Sequence, residues 1–343
     1  MISAATASSP GTTPARSRES SSMSNSLKKI RAARLSVVTA SLLTLIKLVT
    51  GITTGSMAVL ASAVDSVLDI LMSSINFYAI KKAEEPADEC HPFGHGKYET
   101  LATLIQAFVI AISGSWIIFE AARRLIQGSE LRSIEGGVVV LVISIFASFA
   151  ISRYLRMIAK QTDSSALEAD SLHFSMDVYT NAALAGGLLI IQFTGLTHID
   201  PILSILVGGY IIVEAFKLVR HGMRDVLDAE LPPAVLDNVN RLLDDFRENL
   251  VDYRNLRTRR AGSQKFMDLE MIVCRHMSLE DAHEIADELE NKIKAEITGS
   301  DITIHLEPCM RGDCPGKENC SSEKMRMPNE DDDTNNQRTD TKQ

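Results

Sequence analysis

Two pairs of metal-ligand residues lie inside long apolar stretches of this chain. Asp65 and Asp69 belong to one stretch, and His173 and Asp177 belong to another. Each pair has i, i+4 spacing, so on a helix both side chains of a pair lie on one face. Three carboxylates and one imidazole are a reasonable ligand set for a divalent transition metal. Because charged groups inside hydrocarbon are costly, they usually mark an ion pathway or a functional pairing.

A structural ion pair is the alternative interpretation of these acidic residues. Lys47 is the basic residue of the neighbouring apolar stretch, so one cation would face three carboxylates. Buried carboxylates without compensation are too costly to keep charged. We therefore expect a metal or proton site, and we expect Lys47 to be a snorkelling or paired lysine rather than a transport residue.

A second candidate site lies in the loop that follows the first acidic pair. It contains one carboxylate and two histidines four residues apart, Asp88, His91 and His95. Gly94 and Gly96 permit a tight turn there. These ligand types suit a transition metal, although loop histidines are often only solvated.

A third, looser set lies in the polar C-terminal part and consists of Glu270, His283, His305 and Glu307. His305 and Glu307 would share one face of a strand, because side chains repeat every two residues. A solvated face and a metal site are equally compatible with this set. A metal-capturing tail and an inert reduced tail are equally compatible with Cys309, Cys314 and Cys320, whose spacing is not a strong zinc pattern.

Six apolar runs position the first two sites, each near the ~20 residues that a helix needs to cross a membrane. They cover residues 35–55, 57–80, 101–121, 134–154, 169–195 and 199–219. Most of the Lys and Arg residues beside these runs fall in loops on one side, which predicts cytoplasmic termini by the positive-inside rule. At ~1.5 Å per residue, the two acidic pairs reach a similar depth from opposite ends of their helices, so they could share one site.

The residues after about 223 predict a small soluble α+β domain. Helical, strand, strand, helical and strand patterns follow one another, with Ser278 as the N-cap of the second helix. The sequence thus divides into a disordered tail (1–27), a six-helix membrane domain (28–222), an αββαβ cytoplasmic domain (223–308) and a disordered cysteine-containing tail (309–343). Met23 is an alternative start, and a transit peptide is an alternative interpretation of residues 1–26.

Composition excludes several classes of protein. The net charge is −9 over 343 residues, and no basic face stands out, so a nucleic-acid partner is not expected. Five cysteines, three of them near the end, do not resemble a secreted disulfide framework and fit a reducing compartment. The chain lacks a His-Glu-x-x-His motif, and a closed four-ligand site leaves no open catalytic position, so we do not expect an enzyme.

Four phrases in this chain resemble the cation diffusion facilitator family, most closely its ferrous-iron/zinc efflux branch. They are Gly55–Asp69, His91–Lys97, Ala169–Val178 and Ile304–Pro308, in the order found in that family. The resemblance spans about residues 28–308 and implies six transmembrane helices followed by a ferredoxin-like αββαβ domain that forms a homodimer.

The resemblance also implies roles for the candidate residues. Asp65, Asp69, His173 and Asp177 would form the transport site, and Asp88, His91 and His95 would form a loop site. The third set matches the family's cytoplasmic ligands only partly, since Arg254 and Glu270 stand where related proteins have histidine. Lys97 would pair with Asp228 near the membrane face and couple the two domains.

We therefore expect a bacterial inner-membrane antiporter that exports Zn²⁺ or Fe²⁺, or else Cd²⁺, Co²⁺ or Mn²⁺, in exchange for protons. The same ions would be its structural or regulatory metals, and no other cofactor is expected. A metal-gated channel or a metal-sensing membrane protein is the alternative, because it would use the same ligands.

Overall fold

The computed structural model describes the backbone of residues 14–54, 57–127, 138–194, 199–246 and 250–310. Within these residues the chain separates into two units. The first unit comprises Met1–Leu227 with Ala261–Ser263, and the second comprises Asp228–Arg260 with Gln264–Gln343. The change from one unit to the next thus falls five residues after the predicted domain boundary at 222.

Six long helices make up the first unit, in agreement with the six predicted runs. They are α1 (Pro14–Thr54), α2 (Met57–Ala83), α3 (Lys97–Gln127), α4 (Val138–Thr162), α5 (Ser165–Thr194) and α6 (Ile199–Val226). Four of them contain described stretches that are long and apolar enough to cross a membrane: Ser24–Thr53, Lys97–Ile126, Val142–Thr162 and Pro201–Val226. The other two, α2 and α5, carry the acidic pairs.

Small side chains allow the helices of this unit to approach closely. A cluster of buried alanines with Ile80, Leu155 and Phe174 forms the core among α1, α2, α4 and α5. Between α3 and α6, a Cβ added to Gly208 would lie 2.7 Å from Ile118 Cγ1 and 3.1 Å from the Gly114 carbonyl oxygen. Only glycine fits at this crossing, so helix packing here resembles the small-residue contacts common in membranes.

The second unit has the predicted element order. Its elements are α7 (Pro233–Asp245), β1 (Asp252–Ala261), β2 (Gln264–Val273), α8 (Leu279–Glu296) and β3 (Ser300–Pro308). The sheet order is β1-β2-β3, and β2 pairs with β3 in parallel, with Glu270 opposite His305. Ser278 is the N-cap of α8, where its hydroxyl accepts a hydrogen bond from the Asp281 amide at 3.1 Å.

The apolar faces of α7 and α8 pack on the sheet to form the core of this unit. Leu242, Leu243, Met267, Met271 and Leu289 are each at most 1% exposed. The other face of the sheet carries charged side chains, so the alternation along each strand separates a dry face from a polar one.

Several helices extend beyond the predicted apolar runs, and two examples show why. Helix α1 begins at Pro14, inside the segment assigned to a disordered tail, because proline suits the first helical position and good helix formers follow it. Helix α4 extends to Thr162, eight residues beyond its predicted end at 154. Hydropathy marks the apolar part of a helix, whereas backbone hydrogen bonding continues through the basic residues that follow. Residues 1–13 and 311–343 lie outside the described residues.

Candidate metal-transport site

Three of the four predicted membrane ligands come together between α2 and α5. Ligand atoms of Asp69, His173 and Asp177 all lie within 4.8 Å of one another. The imidazole Nε2 of His173 lies 3.0 Å from Oδ1 of Asp69. We call these three residues the membrane trio. The side chain of Asp65, the fourth predicted ligand, lies outside the described residues.

The trio is set into helices whose local sequences explain its position. His173 and Asp177 are one turn apart on α5, so their side chains lie on the same face. The large neighbour Phe174 is 1% exposed and packs into the core, which holds this part of α5 in place. An imidazole and two carboxylates at this spacing could bind one small divalent cation.

Lys47 is directed toward the trio and does not act as an isolated lysine. Its Nζ donates to Ser66 Oγ at 2.7 Å. Ser66 is 2% exposed and lies three residues before Asp69 on α2, so the two side chains share one face of that helix. The structure therefore agrees with the paired lysine that the sequence indicated, with a serine between the two charges.

A buried polar network beside the trio was not identified from the sequence. Asp170 is fully buried, and its Oδ1 accepts from Gln106 Nε2 at 3.5 Å, while Gln106 Oε1 accepts from Asn76 Nδ2. Asp170 Oδ2 has no hydrogen-bond partner among the described residues. The i, i+3 spacing from Asp170 to His173 could have indicated that both lie on one face of α5.

A buried ion-pair network was also missed. Lys29, which is 3% exposed, pairs with Glu84 and with Glu99, whose Oε1 lies 3.0 Å from the lysine Nζ. The other carboxylate oxygen of Glu99 accepts from Ser164 Oγ at 2.9 Å. In the sequence, the basic residues around Lys29 indicate only how the chain is oriented in the membrane. A lysine and a glutamate 70 positions apart offer no local signal that they will meet.

The loop candidate forms a second compact group. Ligand atoms of Asp88, His91 and His95 also lie within 4.8 Å of one another. Asp88 Oδ1 accepts from the backbone amides of Cys90 at 3.0 Å and His91 at 2.7 Å. Chiefly because the His91 amide donates to it, the pKa of the Asp88 carboxyl is below its ordinary value. Gly94, with a φ of 77°, makes the turn that brings His95 back toward Asp88.

The donor set of this loop suits a bound metal. His95 is 3% exposed, and neither of its ring nitrogens makes a hydrogen bond of good geometry within the described residues, although Nε2 lies 3.2 Å from Asp88 Oδ2. Buried imidazole nitrogens normally have a partner. One carboxylate and two imidazoles match the ligands that Zn²⁺ prefers.

The predicted cytoplasmic set does not converge. In the described part of the second unit, Glu270, His283, His305 and Glu307 do not form a group of ligand atoms like the two above. Arg254 lies between the two glutamates, with Nε 3.3 Å from Glu270 and an ion pair to Glu307. His283 lies near Asp287, at 3.7 Å. The guanidinium already provides the positive charge that a metal would bring.

The remaining predicted residues belong to different elements. Lys97 begins α3, and Asp228 lies 3.8 Å from Arg259 within the second unit. The Lys97–Asp228 pair stays a prediction. Cys309 is 3% exposed and packs against Ile272, while Cys314 and Cys320 lie outside the described residues.

Comparisons with known proteins are consistent with this architecture. A model of the cation efflux transmembrane domain matches residues 33–227, and a model of the cation efflux protein cytoplasmic domain matches residues 231–309. A cation-efflux pump FieF of Serratia proteamaculans strain 568 is 32% identical over 288 residues, covering 81% of this chain and 92% of that protein. A FieF of Pectobacterium carotovorum strain PC1 is 34% identical over 258 residues, covering 74% and 84%.

One solved structure is similar to part of this chain. The metal-bound C-terminal domain of a CzcD transporter from Thermotoga maritima is 27% identical and covers 23% of this chain and 93% of its own, with a TM-score of 0.22. The two domain models together match most of the chain, in the order of its two units. The chain therefore belongs to the cation efflux family, the cation diffusion facilitators, whose members are membrane transporters and not enzymes.

Proposed function

We propose that this protein exports a divalent transition metal, Zn²⁺ or Fe²⁺ first among them, from the cytoplasm in exchange for protons. The observation that supports this most strongly is the convergence of Asp69, His173 and Asp177 between two apolar helices. An imidazole with carboxylates suits these ions, and also Cd²⁺, Co²⁺ and Mn²⁺. The names of the similar proteins, cation-efflux pumps, support the outward direction.

The proton exchange follows from the chemistry of the ligands. A metal requires neutral imidazole and ionised carboxylate, so the metal and protons compete for the same atoms. Asp65 is the proposed fourth ligand, one turn before Asp69 on α2, and it would complete a tetrahedral set. Rocking of helices around this site would expose it alternately to the two sides of the membrane.

The other sites have supporting roles in this proposal. Asp88, His91 and His95 would hold a structural or regulatory metal in the loop between α2 and α3. The C-terminal domain would form the homodimer, as the name of its family model, ZT_dimer, suggests. The protein would lie in a bacterial inner membrane with both termini in the cytoplasm.

Purified protein in sealed proteoliposomes with a metal-sensitive dye inside tests the proposal. An imposed proton gradient should drive zinc to a concentration above its equilibrium value, with proton movement in the opposite direction. A metal-gated channel would only equilibrate zinc. Flux that does not respond to the proton gradient would therefore exclude the antiport mechanism and favour the channel.

Coupling between the two domains through Lys97 and Asp228 is also part of the proposal. Lys97→Asp should reduce zinc flux, and adding Asp228→Lys should recover part of it. A shielded pair broken on one side costs ~3–5 kcal/mol, whereas an exposed pair is worth only ~0–1 kcal/mol. A double variant no better than Lys97→Asp alone would show that the two residues do not act as a pair.

A further inference from the structure

Lys47 contacts the proposed transport site through one hydroxyl group. Its Nζ lies 2.7 Å from Ser66 Oγ, and Ser66 is three residues before Asp69 on α2. Residues three apart share one face of a helix, so the ammonium of Lys47 lies against the face of α2 that carries Asp69, a proposed metal ligand.

The bridging serine is held firmly. Thr44 Oγ1 donates to the carbonyl oxygen of Ser66 at 2.9 Å, and both residues are at least nine-tenths buried. Thr44 and Lys47 are three residues apart on α1, so they lie on the same face of that helix. A lysine that only snorkelled toward the membrane surface would need neither contact.

The charges of the site explain what an ammonium could do there. Three ionised carboxylates, at Asp65, Asp69 and Asp177, carry a charge of −3, and a neutral His173 adds none. With Lys47 the sum is −3 + 1 = −2, which one divalent cation balances. Without it, the metal-bound site would keep one negative charge inside the hydrocarbon, where an unbalanced charge is costly.

We propose that Lys47 is the built-in counter-cation of the transport site, which matches the ligand set to a divalent charge and keeps metal affinity low enough for release. This inference rests on the proposed function. Lys47 is then a positioning and specificity residue, because its charge acts on the metal through Asp69 and Asp177 without binding it. Removing the charge should tighten metal binding and slow release, the opposite of what damage to the fold would do.

The experiment compares zinc affinity and zinc turnover in the full-length protein reconstituted in lipid. Zinc binding is titrated against a competing chelator at a fixed alkaline pH, and the transport-site phase is the one that Asp177→Ala removes. Lys47→Met should lower the dissociation constant of that phase by about tenfold and reduce turnover, as the loss of one nearby repulsive charge implies. Lys47→Arg, which keeps the charge, should remain near wild type.

A matched control keeps the test decisive. Lys217→Met is the matched control, because Lys217 pairs with Glu214 on the exposed face of α6 and is 64% exposed.

The outcomes separate the inference from the function on which it rests. Unchanged or weaker zinc affinity in Lys47→Met, or equal loss in Lys47→Arg, would overturn the role of Lys47 while leaving transport intact as a function. Absence of any zinc-binding phase that depends on Asp177 in the wild-type protein would overturn the proposed transport site, and the inference with it.

Discussion

The membrane trio and the exposed face of the β-sheet contain the same residue types but place their cations differently. On the sheet, the guanidinium of Arg254 contacts both Glu270 and Glu307, so the carboxylates already have a permanent partner. In the membrane, Lys47 donates to Ser66, three residues before Asp69, and the ligand atoms of the trio lie within 4.8 Å of one another. A cation that contacts the carboxylates directly occupies the place of a metal ion. A cation that contacts only a neighbouring hydroxyl leaves that place available.

Burial explains why this difference has unequal consequences. The carboxylates of Glu270 and Glu307 are 29% and 33% exposed, so water screens them and an ion pair there contributes little. His173 and Asp69 are 12% and 21% exposed and lie on apolar helices, so an unbalanced charge there is screened less and is more costly. We therefore expect metal binding to depend strongly on charge in the membrane and weakly on the sheet.

Removing a ligand from the trio should have the largest effect. We expect Asp177→Ala to reduce zinc flux in proteoliposomes by at least about 100-fold, because even changes beside a metal ligand cost ~10–100-fold. The protein should still insert and dimerise, as size-exclusion chromatography in detergent would report. Glu214→Ala is the matched control, since Glu214 lies on α6 and pairs with Lys217 outside the trio. Flux near the wild-type value in Asp177→Ala would remove this residue from the mechanism.

Changing the type of one ligand should shift selectivity more than rate. In His173→Asp the imidazole is replaced by a harder carboxylate, which suits Mn²⁺ better than Zn²⁺. We expect the ratio of zinc flux to manganese flux to fall by about tenfold. Both metals are measured on the same vesicles, so differences in protein incorporation cancel. An unchanged ratio would mean that another part of the protein sets selectivity.

Local patterns were enough to predict much of the fold and part of the site. The i, i+4 pairs and the apolar runs predicted α2 and α5 with their ligands, because helical periodicity depends only on nearby residues. The loop group was also predicted from a local pattern, since Asp88, His91 and His95 lie within eight positions.

Long-range packing decides what the sequence could not predict. The contact of Lys47 with Ser66 depends on the rotation of α1 against α2, and the network around Asp170 depends on α2, α3 and α5 together. Arg254 on β1 reaches across β2 to Glu307 on β3, a contact that depends on the strand order of the sheet. These contacts join residues far apart in the sequence, so no local pattern indicates which atoms meet.

The loop group is intermediate between the two compared regions, since its Asp88 is exposed and its His95 is buried. We expect His95→Ala to lower the amount of zinc bound per chain by about one ion, because three donors are the minimum for a firm zinc site. Zinc flux should fall far less than in Asp177→Ala. Cys90→Ser, in the same loop, is the control. Zinc content equal to the wild type in His95→Ala would show that the loop does not bind metal.

Replacing the cation on the sheet should have the smallest effect on transport and gives the most direct test of the comparison. Arg254→His removes the guanidinium from Glu270 and Glu307 and puts an imidazole at that position. If a permanent cation is what keeps this face from binding metal, the variant should bind about one additional zinc per chain, with the ligand types of a zinc site. Stability should change by only ~0–1 kcal/mol, because the pairs are partly exposed.

Zinc content after gel filtration measures the gain in bound zinc. Arg257→His, on the same strand and paired with Asp268, is the matched control. Should Arg254→His bind no more zinc than Arg257→His, geometry rather than charge closes this face, and the contrast with Lys47 would need another explanation.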